Sequence, residues 1–90
     1  MSRVKHSDGK EIIPKPAQVW MITFPDKSEQ RLVVVDVSFN TDQVIRMISN
    51  HNPNREFTVQ NISVGIFVLD KVINSYCDDA RKVDHNGYFV

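Results

Sequence analysis

The sequence predicts an α+β domain, in which a small antiparallel sheet carries helices packed on it. Three observations lead there: alternating apolar residues on either side of a turn within 18–39, a helix-capping pattern at "FNTDQV", and a helical apolar period after Leu69. Ninety residues make one domain. The apolar share of 41%, with 24% charged, is that of an ordinary globular chain.

Residues 1–16 read as an extended basic and polar arm ahead of a single domain over 17–90. The arm mixes Arg3, Lys5, Lys10 and Lys15 with Asp8 and Glu11, and ends in "PKP", which blocks helix. "QVWMITF" then alternates as a strand, with Trp20, Ile22 and Phe24 on one face and Val19 and Met21 on the other. Pro25 and Asp26 suit a type I turn. "QRLVVVDVSF" returns, rich in the β-branched residues that fit a pleated sheet. Strict alternation puts Val33, Val35, Val37 and Phe39 on one side and Leu32, Val34, Asp36 and Ser38 on the other.

In "FNTDQV", Asn40 can cap a helix and Gln43 can complete a capping box, with Phe39 and Val44 as a hydrophobic staple. Val44, Ile45, Met47 and Ile48 then form one helical stripe, and "NHNPN" ends it. In "REFTVQNISVGIFV" the apolar parity switches near Gln60 and Asn61, which predicts a bulge or a tight turn between two short strands. From Leu69 the period becomes helical: Leu69, Val72, Ile73, Tyr76, Cys77, Ala80 and Val83 cover an arc of roughly 140°. Asn86 and Gly87 stop this second helix before "YFV".

Strand, turn, strand, helix is the opening of a β-grasp, ubiquitin-like domain, and residues 18–48 are similar to that pattern. The resemblance implies a sheet with a helix laid across it. The long second helix departs from it, no terminal Gly-Gly for conjugation is present, and no function is carried over.

"YCDDARKVDH", residues 76–85, gathers a thiol, three carboxylates and an imidazole. On a helix Cys77 turns inward as a small hydrophobe, while Asp78, Arg81 and Lys82 form surface pairs. Cys77 with His85 offers neither the number nor the spacing of zinc ligands, so no metal or other cofactor is expected. Asp36 and His51 read as an outward strand residue and a helix-end residue. No nucleophile elbow is present, and Gly9, Gly65 and Gly87 do not cluster into a phosphate loop. The chain is expected not to be an enzyme.

Eleven basic side chains balance eleven acidic ones, so no bulk charge draws the chain to nucleic acid or membrane. The lone Cys77 fits a reducing compartment. The N-terminus lacks the apolar core of a signal peptide, and no apolar run reaches a membrane span. A cytoplasmic setting follows. The expected function is binding or regulation through contacts with a protein partner, in the manner of a small inhibitor or adaptor from bacteria or phage, with a homodimer as one form. The hairpin is apolar on both faces: either the two helices cover both between them, or Trp20, Ile22, Phe24, Leu32 and Val34 are one candidate partner surface, as a sheet face or edge. The tail Tyr88, Phe89 and Val90 is the second, as an extended segment that docks on another chain; a last strand or a tail folded on its own domain is the other reading. The alternative is an RNA- or DNA-binding module that holds phosphates through Arg3, Lys5, Lys10, Lys15, Arg31, Arg46 and Arg55.

Overall fold

The computed structural model describes residues 14–39, 43–62 and 65–90, and in these the protein is all β. The strands are β1 (Val19–Thr23), β2 (Glu29–Phe39), β3 (Gln43–Ser49), β4 (Glu56–Ile62), β5 (Gly65–Leu69), β6 (Asn74–Tyr76) and β7 (Asp79–Val83). All pairings are antiparallel and the sheet order is β6-β5-β4-β3-β2-β1-β7. The predicted α+β class is therefore wrong, for no helix occurs among the described residues.

The hairpin of β1 and β2 forms where the alternation places it. At its turn the Lys27 amide donates to the Phe24 carbonyl (2.8 Å), and the Phe24 amide donates to Ser28 (2.8 Å). Lys27 itself takes φ 73°. This is a three-residue loop, a type I turn followed by a left-handed residue. Asp26 ties it down by accepting from both the amide (2.9 Å) and the hydroxyl (2.6 Å) of Ser28. Of the predicted arm, residues 1–13 lie outside the described residues, while Pro14 is buried. Lys15, Pro16, Ala17 and Gln18 form a turn closed by the Gln18 amide on the Lys15 carbonyl (3.2 Å), with Ala17 at φ 73°.

The first predicted helix is β3. Its stripe of Val44, Ile45, Met47 and Ile48 satisfies both periods: as a strand it turns Ile45 and Met47 inward and Val44, Arg46 and Ile48 outward. Three of those four apolar residues are β-branched and lose less in a strand than in a helix. The ladders with β2 and β4 then hold β3 on both sides. The capping residues Asn40, Thr41 and Asp42 lie outside the described residues. With a strand at 43–49, the β-grasp pattern fails at its helix.

The second predicted helix is the end of β5, a turn, β6 and β7. Asp70 decides this locally, because its Oδ1 accepts from the amides of Val72 (2.8 Å) and Ile73 (2.6 Å). A helix N-cap makes the same two bonds. Here they close a tight turn instead, since the Asp70 amide also donates to the Ile73 carbonyl (2.7 Å). The chain then returns along β5 rather than winding up. The parity switch between Val59 and Ile66 is a chain reversal, with β4 and β5 as antiparallel neighbours.

A register shift between Val34 and Asp36 bulges β2 opposite Met47 and Arg46. Leu32 and Val34 point inward before it and Val37 packs on the core after it, while Val35 is exposed. The face assignment by strict alternation therefore breaks at Val35. The Asp36 carboxylate stabilises the kink by accepting from the Val37 amide (2.9 Å).

The sheet curls into a half-barrel around Trp20, Ile22, Phe24, Leu32, Val34, Ile45, Met47, Phe57, Val59, Ile66, Val68 and Ala80. Strands β6 and β7 lie at opposite ends of the sheet, yet only Cys77 and Asp78 separate them. The segment 74–83 thus bridges the mouth of the curl. The Cys77 amide donates to Ile66 on β5 (2.6 Å), and the next amide, Asp78, donates to Thr23 on β1 (2.7 Å).

Candidate functional site

Trp20, Ile22, Phe24, Leu32 and Val34 are 4% exposed or less and point into the half-barrel. They are core, not an open partner surface. The hairpin is apolar on both faces because its outer side carries a short row: Val19 lies beside Val33 and Val83, and Val33 lies beside Ile48.

The tail residues are on the surface, with Tyr88 71%, Phe89 71% and Val90 80% exposed. They follow a turn built on Asp84, whose Oδ1 accepts from the amides of Asn86 (2.9 Å) and Tyr88 (3.0 Å). The Asp84 amide in turn donates to the Tyr88 carbonyl (2.8 Å), and Phe89 bridges back to Val83. Two side chains from elsewhere in the sheet hold the turn. Arg31 Nη1 (3.2 Å) and Asn50 Nδ2 (3.1 Å) both donate to the His85 carbonyl. Arg31 Nη2 also lies 2.6 Å from His51 Nε2; a guanidinium only donates, so this nitrogen is the acceptor. Gly87, at φ 89°, lets the chain pass Arg31: a β-carbon there would sit 3.1 Å from Nη1. Arg81 stacks over the Phe89 ring at 5.7 Å.

The remaining predicted cations do not form one surface. Arg3, Lys5 and Lys10 lie outside the described residues, and Lys15 is exposed on its turn. Arg46 pairs with Glu56 (2.8 Å). Arg55 pairs with Asp70 (2.6 Å) and lies over the Phe57 ring at 4.7 Å. Burial works against the Asp70 carboxylate. The hydrogen bonds from Arg55 and from the amides of Ile73 and Val72 outweigh it and hold the group below its usual range.

In "YCDDARKVDH", Cys77 packs against the core and its thiol donates to the Asp79 carbonyl. Burial pushes the thiol up to about 12. Asp79 pairs with Arg81 (2.5 Å) and Asp78 with Lys27 (3.7 Å), so the pairs of the predicted helix are replaced by others. No group of three or more His, Cys, Asp or Glu is placed to hold a metal among the described residues.

The surface that sequence reasoning missed is the β5–β6 hairpin. Val72 at its tip is 81% exposed, and Leu69 and Tyr76 are also out in solvent. Tyr76 sits edge-on to Phe67, with ring centroids 5.2 Å apart. Beside the hairpin is an open cleft of about 410 Å³, between Phe24, Pro25 and Asp26 of the first turn and Val72, Ile73 and Asn74. On a helix Leu69, Val72 and Tyr76 fall within one apolar arc, and that reading carries no signal of an exposed surface. Asp70 two residues before Val72 was the available sign of a turn. No described helix is long and apolar enough to cross a membrane.

Comparison with protein-family models, with curated proteins and with solved structures gave no match.

Proposed function

We propose that the chain is a non-catalytic binding protein, an inhibitor or adaptor that acts in the cytoplasm by occupying a surface on a protein partner. One observation carries this reading: Val35 apart, the exposed large apolar side chains lie at two places, Val72 with Leu69 and Tyr76 on the β5–β6 hairpin, and Tyr88, Phe89 and Val90 on the tail. Clustered apolar residues of this kind mark contact sites more often than scattered single ones do. The non-catalytic part rests on how reactive groups are engaged. The Cys77 thiol is held protonated against a carbonyl, and Asp70 and Asp79 are each spent on an arginine. Arg46 and Arg55 are likewise neutralised, which favours a protein partner over nucleic acid.

The test is affinity capture from a lysate with the wild-type chain and two surface variants, Leu69→Ser/Val72→Ser and Tyr88→Ser/Phe89→Ser/Val90→Ser. Light scattering runs in parallel to detect self-association. A protein retained by the wild type and lost with either variant, or a dimer dispersed by it, supports the reading. Capture and mass indifferent to both variants would refute it.

A further inference from the structure

We propose that the cleft beside β6 receives an extended peptide segment bearing a basic side chain, which adds to β6 as a further strand. This rests on the protein-binding reading and names its site and the chemistry of the partner.

The argument starts from the ladder. In antiparallel pairs the N–H and C=O of one residue point to the same side, and successive residues alternate. The bonds from Asp70 to Ile73 and from Cys77 to Ile66 show that Ile73, Ser75 and Cys77 face β5. Asn74 and Tyr76 therefore present their backbone groups to the opposite side. On that side β1 has ended at Thr23, and Phe24 to Ser28 form the turn of the first hairpin. Pairing with β1 begins only at the Asp78 amide, on Thr23. Asn74 thus opens its backbone groups into the cleft, and the Tyr76 amide points the same way just beyond the lining, while the Tyr76 carbonyl accepts from the Ser75 hydroxyl (3.3 Å). Sheet edges are ordinarily blunted by lysine, proline or a bulge. β6 reads Asn-Ser-Tyr and has no charge or proline of its own.

The rest of the cleft matches an extended guest. Pro25, Val72 and Ile73 give apolar walls for alternate side chains, and Val72 has little else to cover it. At the mouth stands Asp26. The hydroxyl and amide of Ser28 both bond its Oδ1 and hold the carboxyl below its usual range, so it is anionic at neutral pH. Asp78 close by is already met by Lys27. The charge to be matched is that of Asp26, and the complement is a lysine or arginine. Affinity comes from main-chain pairing and selectivity from the side-chain contacts, as in strand addition generally.

The test uses the full ¹⁵N-labelled chain and two acetylated hexapeptides, one alternating lysine with valine and one with glutamate in place of lysine. The lysine peptide is expected to shift the amides of Asn74 and Tyr76 and to slow their hydrogen exchange. Asp26→Asn, which keeps an acceptor for Ser28, should weaken it about fivefold. Asn74→Pro removes a donor that faces the cleft and no bond to β5, and should abolish binding. Val72→Ser, at an exposed position, adds no charge, should also weaken packing in the cleft, and guards against a proline variant that misfolds. Shifts confined to the tail, equal binding of both peptides, or no shift at millimolar peptide would each overturn the cleft proposal. The broader reading would still stand if the surface variants release a captured protein, and it falls separately if they do not.

Discussion

Strand β3 and the segment 74–83 are held in the same sheet by different means. Along β3 a neighbour lies on both sides, β2 and β4, and the inward residues Ile45 and Met47 are sealed. The segment 74–83 has one neighbour at a time. Its first part pairs with β5 over three residues, its second part with β1 over five, and the change of partner falls at Cys77 and Asp78. Interior strands are thus fixed by packing and ladder together, while the bridging segment depends on a few particular bonds. The half-barrel closes through this thinly paired segment, and the open edge of β6 with the exposed Tyr76 lies there too.

Substitutions can sharpen that contrast. The largest effect is expected inside the continuous sheet. Phe57, fully buried on β4 beside Met47, should cost about 3–5 kcal/mol when changed to alanine, read by urea denaturation. Much smaller losses there would mean that the interior is not the rigid part.

On the bridging side, Asp70→Ala should cost about 1–3 kcal/mol. The carboxylate side chain is 3% exposed and serves Arg55 and two amides at once. Because its carboxyl is held below the usual range, its contribution is whole above about pH 4 and is lost as the pH falls through its lowered value. The acid limb of a stability–pH curve should therefore flatten in Asp70→Ala.

Cys77 gives the opposite sign. Its thiol is raised from 9.0 to about 12, so the stability it contributes is whole below pH 9 and is lost as the pH climbs towards 12. At pH 8 it should react with iodoacetamide only through opening of the bridging segment, much more slowly than in urea. Reaction at the unfolded rate would place the thiol in solvent and break the account of the segment. The smallest effect belongs to Val72→Ser, below about 0.5 kcal/mol in the same urea assay, because the side chain is in solvent already.

The first hairpin was legible because its alternation is long and its turn residues are specific: Pro25 and Asp26 close it where the pattern says. The two supposed helices were misread for a common reason. Val44, Ile45, Met47 and Ile48 fit both a helical stripe and an alternating strand. Asp70 makes the bonds of a helix cap in the service of a hairpin turn. What decides between these is a neighbouring strand, β2 and β4 for one and β5 and β1 for the other, and local pattern does not contain that neighbour. Of the candidate site, the sequence offers the tail either as a partner surface or as a segment folded on its own domain, and pattern alone does not separate the two. Trp20, Ile22, Phe24, Leu32 and Val34 fit in sequence either a core covered by helices or an open face, and pattern does not show that a curled sheet buries them by itself. Val72 was lost for the same reason as the second helix.

Amide-resolved hydrogen exchange tests the contrast most directly. The account predicts that β3 amides from Val44 to Ile48 exchange only through global unfolding. Ser75, Cys77 and Asp78 should exchange through a smaller, separate opening, and Asn74 and Tyr76 should be scarcely protected in the free protein. Uniform protection across β3 and 74–83, with Asn74 and Tyr76 as slow as their neighbours, would contradict both the weak bridge and the open edge.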